Sequence, residues 1–128
     1  MNTLAAIGQK LQDLGLVDEP YQLSIGFMPP APDTIVALYG YAGQPEQGNT
    51  GLQAPGLQVR VRTGQLDLEA AIVKIEAIMR SLSYIGRIDA TDGTILDILP
   101  TQSGWTSIGP DENERPNLVT NFIVWRSR

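Results

Sequence analysis

Residues 117–126, NLVTNFIVWR, read as a strand that is apolar on both faces. Leu118, Thr120, Phe122 and Val124 point to one side, and Asn117, Val119, Asn121, Ile123 and Trp125 to the other, because strand side chains alternate. A sheet backed by helices on one side asks for only one apolar face. Burying Phe122, Ile123, Val124 and Trp125 together requires cover on both, at about 1.5–3 kcal/mol per large side chain. If helices cover the first side, a neighbouring subunit is the natural cover for the second. The alternative is that Trp105 and the 104–114 loop fold back over it.

The remaining pattern supplies the helices. Leu4, Ile7, Leu11 and Leu14 fall on one face of residues 3–14, with Asn2 or Thr3 as a cap and Gly15 as a stop. Residues 67–83 form a second helix with the stripe Leu68, Ala71, Ile72, Ile75, Met79 and Leu82. Asp67 and Glu69 lie at its positive end and Arg80 near its negative end. Leu23, Ile25 and Phe27 alternate as a short strand, MPPAPD (28–33) is a stiff connector, and TIVALYGY (34–41) suits a central strand. Residues 42–56 hold four glycines, two prolines and a single charge, Glu46, and read as a long flexible loop. LQVRVR (57–62) alternates Leu57, Val59 and Val61 inward with Gln58, Arg60 and Arg62 outward. DATDGT (89–94) is a turn, TILDILPTQS (94–103) a strand, and Trp105 and Ile108 are expected against the core. The 128 residues make one α+β domain in the order α-β-β-β-α-β-β. A mixed, mostly antiparallel sheet with both helices packed on one face follows from it.

Composition narrows the chemistry. Without histidine or cysteine, Ser-His-Asp, Cys-His and thiolate or imidazole metal sites are excluded, as are disulfides. A net charge of −5 with two lysines argues against a broad nucleic-acid surface. No window reaches the about 18 apolar residues of a membrane span, and the start lacks a signal-peptide layout, so a cytosolic start is expected. Asp89 and Asp92 before Gly93 read as a turn, because the ligand pattern of a calcium loop does not follow. Asp111, Glu112 and Glu114 read as a solvated loop. If Ile95 and Leu99 face the core, so does Asp97, which then needs an arginine partner, an edge position or a catalytic role. No cofactor or metal is expected, and the residues argue against an enzyme.

PGLQVRVRTG (55–64), AAIVKI (70–75) and GPDENERPNLVTNFIVW (109–125) follow one another in order. In that order the chain resembles the minor capsid, or tail terminator, proteins of long-tailed bacteriophages. The positions matching the family's pattern are Pro55, Gln58 and Arg62, then Asp111, Arg115, Asn121, Phe122, Val124 and Trp125. The resemblance implies a structural virion protein of the tail or neck, assembled in the host cytoplasm. It would cap the tail tube as a ring, expected as a hexamer, ending polymerisation and offering a surface to the head. Its partners would be copies of itself, tail tube protein and the head-tail connector, with no membrane and no sequence-specific nucleic acid. Interface positions implied are Gln58, Arg60, Arg62, Asp111, Glu112, Arg115, Asn121, Phe122 and Trp125. Arg115→Glu is accordingly expected to weaken assembly without unfolding the monomer. The competing readings are a neck-completion adaptor and a small monomeric binding module.

Overall fold

Two capped amphipathic helices and one hairpin-rich sheet account for the fold. The computed structural model describes residues 1–17 and 22–128. Its elements are α1 (Thr3–Asp13), β1 (Leu23–Ile25), β2 (Ile35–Gln44), β3 (Leu52–Arg62), α2 (Leu68–Leu82), β4 (Ile88–Ala90), β5 (Gly93–Pro100), β6 (Thr106–Ser107) and β7 (Asn117–Ser127). Asn2 caps α1 by accepting from the Ala5 N–H at 2.9 Å. Asp67 caps α2 through the Ala70 N–H at 3.2 Å, leaving Glu69 in its first turn and Arg80 in its last. The buried stripe of α2 is Ala71, Ile75, Ile78 and Leu82, a helical repeat centred on the sheet. Leu68, expected in that stripe, is 45% exposed, because it opens the helix beyond the rim of the core.

All the paired strands form one sheet in the order β1-β2-β3-β7-β5-β4, with β6 also on β7. The β1–β2 pair is parallel and the others antiparallel. β7 is flanked by β3 on one side and by β5 and β6 on the other. Val36, Leu38, Leu57, Val59, Val61, Ile95, Ile98, Leu118, Phe122 and Val124 form one buried cluster with Ile7 and Leu11 of α1 and the α2 stripe. Both helices therefore close the same face, and the α+β expectation holds. The strands β4 and β6 had no counterpart in the expected order; at three and two residues they are too short for a periodic signal.

Three local expectations are corrected, and that of Trp105 against the core holds. The stretch 42–56 is mostly hairpin: β2 runs to Gln44 and β3 starts at Leu52, leaving 45–51 as the turn. Gly43 makes this possible. It sits at a bulge with φ +67°, and a Cβ there would come 2.2 Å from the Ala54 carbonyl oxygen. Asp97 does not share the side of Ile95. A bulge at Leu96 shifts the register, so Ile95 and Ile98 are core while Asp97 pairs opposite Trp125. Its carboxylate accepts from the Gly86 and Ile98 N–H groups at 3.0 and 2.9 Å, tying the segment after α2 to β5. Trp105 packs on the helical layer, with its indole N–H 3.4 Å from the Glu76 carboxylate, and so does not cover the second face of β7. Ile108, expected on the core, is 52% exposed.

Candidate functional site

Alternation along four strands writes a second surface on the side away from the helices. Tyr39, Gln58 and Asn121 stand in one cross-strand row, and Tyr41, Gly56, Ile123 and Leu99 in the next. Gly56 is needed where it stands, since a Cβ would lie 2.0 Å from the Tyr41 ring. The ring therefore lies across the glycine, and Tyr41 is still 44% exposed. Ile123, Leu99 and Trp125 are half-buried. Trp125 shares a recess with Gln44, Pro45, Glu46, Gln47, Leu52 and Ala54, so the end of the β2–β3 hairpin supplies part of its cover.

A polar ladder crosses this surface. The Arg60 guanidinium lies 4.6 Å from the Tyr39 ring centroid, and its Nε donates to Gln58 Oε1 at 2.8 Å. Gln58 donates to Asn121 Oδ1 at 3.2 Å, and Asn121 donates to Gln102 Oε1 at 3.4 Å. Each member orients the next.

One end of the surface is closed by the proline connector, which two arginines hold down. Arg62 is 2% exposed and donates to the carbonyls of Asp33 at 3.0 Å, Pro29 at 2.6 Å and Pro32 at 2.5 Å. Arg115 is 7% exposed; it donates to the Pro30 carbonyl at 2.7 Å and to the carboxylates of Asp111 at 2.8 Å and Asp33 at 3.3 Å. Asp111 also accepts from the N–H groups of Asn113 and Arg115, both at 2.9 Å. The Arg115 N–H, followed by its guanidinium and the Asn113 N–H, holds the Asp111 carboxyl below the usual aspartate range against the opposing effect of burial. Burial and the nearby charge of Arg115 pull the Arg62 guanidinium below arginine's ordinary value, and it stays cationic.

The nine positions named from sequence therefore separate. Gln58, Arg60, Asn121 and Trp125 lie together on the second face. Arg62, Asp111 and Arg115 form the clamp under the connector; Arg62 stands on the side its alternation gave, opposite Val59 and Val61, but the connector covers it. Glu112 is exposed at the clamp's turn, and Phe122 is wholly buried against the helices, out of a partner's reach. Sequence reasoning missed Asp33 and Gln102, whose partners are remote in the chain. It also missed a second network at the far end of β7. There Arg126 meets Gln53, Thr3 and Asp92, and Arg128 meets Glu46 at 2.7 Å, which holds the Glu46 carboxyl below its ordinary value.

The fold is a single α+β domain whose sheet is sealed by helices on one face and carries an ordered aromatic and polar surface on the other. The comparisons with known proteins narrow this class. The profile of the bacteriophage tail terminator protein family matches residues 10–125, and the chain belongs to that family, a structural component of the phage tail. No curated protein matches the chain. Among solved structures, it is similar to a protein in the virion of a native gene transfer agent particle. The TM-score is 0.74 at 16% identity, covering 99% of this chain and 96% of that one. A second solved chain superposes with a TM-score of 0.59 at 12% identity, over 97% of this chain and 92% of that one. At these identities the likeness is one of fold.

Proposed function

We propose that this protein ends the tail tube as a ring of identical subunits, stopping further addition of tube protein and presenting a surface for the head. The observation that carries the reading is the second face of the sheet. Tyr39, Tyr41, Leu99, Ile123 and Trp125 surround an ordered polar ladder there, and the helices are all spent on the opposite side. Such a face gains from a partner, because its apolar side chains stay partly wetted in the single chain. A head-to-tail contact repeated around an axis closes into a ring. Membership of the tail terminator family supports the placement at the tube end. A hexamer is the expected count.

The test is sizing and electron microscopy of the purified protein, alone and mixed with assembled tube protein. A monomer or weak oligomer is expected alone, and a ring at tube ends in the mixture. Rings that never sit on tubes, but bind the head-tail connector, would favour the neck-adaptor reading and overturn the terminator role. A chain that stays monomeric at high concentration and ignores both partners would be a separate binding module.

A further inference from the structure

We infer that Arg60 is the receptor of the contact between neighbouring copies, and that it takes the acidic 108–114 loop of the next subunit. This rests on the ring reading above. Arg60 is half-buried and already held at two points: its guanidinium lies over the Tyr39 ring, and Gln58 takes the Nε–H. Among the described residues its two terminal amino groups donate to nothing, and no carboxylate lies within ion-pair distance. A guanidinium held over a ring and by its Nε, with a free end, is preorganised for a carboxylate, which it grips by two parallel N–H···O bonds. The other arginines of this half of the sheet, Arg62 and Arg115, are consumed by the connector.

Charge complementarity names the occupant. Asp33, Asp67, Glu69, Asp111, Glu112 and Glu114 cluster around the turns joined by the Leu66 N–H to Glu114 carbonyl bond. Six carboxylates against the two guanidiniums of Arg62 and Arg115 leave −4 there, out of −5 for the whole chain. Glu112 stands exposed at the tip and makes no hydrogen bond among the described residues. Ile108, 52% exposed, and Pro110 flank it and give the same loop an apolar shoulder for Tyr39 and Tyr41. In its own chain this loop is held by the clamp, and among the described residues none of its carboxylates pairs with Arg60, which leaves Arg60 open to the loop of another copy. Repeated in one direction, with each copy giving its loop to the next and taking one from the last, the contact is head-to-tail, as a ring requires.

The experiment is sedimentation and electron microscopy of full-length variants with tube ends present, after circular dichroism confirms folding. Arg60→Glu and Glu112→Arg should each weaken self-association by about tenfold or more, the measured range for close interfacial charge pairs. Arg60→Lys, which keeps the charge and loses the fork, should fall between. Mixing the two reversed variants should restore rings of alternating copies, since each then meets an opposite charge. Normal rings from Arg60→Glu would overturn the contact and leave the ring reading standing. Rings that form but no longer bind tubes would move Arg60's partner to the tube protein, also overturning it. Loss without restoration on mixing would exclude the 108–114 loop. A wild-type chain that never associates, even on tubes, would remove the ring reading itself.

Discussion

Arg115 shows how one side chain changes meaning with its surroundings. A charged residue in an acidic loop reads as a surface contact, yet this guanidinium is buried and bridges Asp111, Asp33 and the Pro30 carbonyl. Removing it strands a carbonyl and a partly buried carboxylate together. Arg115→Ala should therefore cost about 2–4 kcal/mol of monomer stability in urea unfolding. The expectation that Arg115→Glu spares the monomer is replaced by this one. Asp111 supplies the pH test. Its folded carboxyl is depressed, so its contribution is complete above the unfolded value of about 3.9 and disappears as pH falls through the lower folded value. Melting temperature followed from pH 6 downward should drop less steeply for Asp111→Asn than for wild type once pH passes below about 4. Parallel curves would assign the depression no part in stability.

β7 carries two aromatic residues with opposite duties, separated by the alternation of the strand. Phe122 is 0% exposed beneath the helices, and its loss opens a cavity that the sheet cannot collapse into. Phe122→Ala should cost about 3–5 kcal/mol in denaturant unfolding. Trp125 faces the other way and is covered only in part by the hairpin end. Trp125→Ser should leave a cooperatively folded monomer that associates poorly. If it unfolds the chain as Phe122→Ala does, the second face belongs to the monomer's own stability and not to assembly. The hairpin itself depends on Gly43, whose bulge no side chain could enter. Its glycine content reads as looseness in sequence, whereas in the fold it is the condition for a close crossing of β2 and β3.

For the molecule entire, the uneven charge is the controlling feature. With −4 of its −5 gathered around the 108–114 loop, a copy approaching another is repelled at that end and attracted only where a cation is free. Assembly should therefore weaken as sodium chloride rises from about 0.05 to 0.5 M, because the Debye length shrinks below the spacing of exposed charges. Light scattering across a salt series measures it. Association that strengthens with salt would make the contact chiefly apolar, carried by Tyr41, Ile123 and Trp125.

Periodicity and capping residues were enough to specify the two helices, the central part of the long strands and the inward set of β3, since these depend on neighbours two to four positions away. The order and spacing of the 55–64 and 109–125 segments were likewise enough to point to the family. What lay beyond reach was every decision made by distant residues meeting. The insertion of β7 between β3 and β5 and the bulge that turns Asp97 from the core are of this kind. So is the clamp, where Arg62 and Arg115 find the carbonyls of a connector some thirty and eighty-five positions away. A linear pattern states which side a residue faces; only the packed chain states what waits on that side.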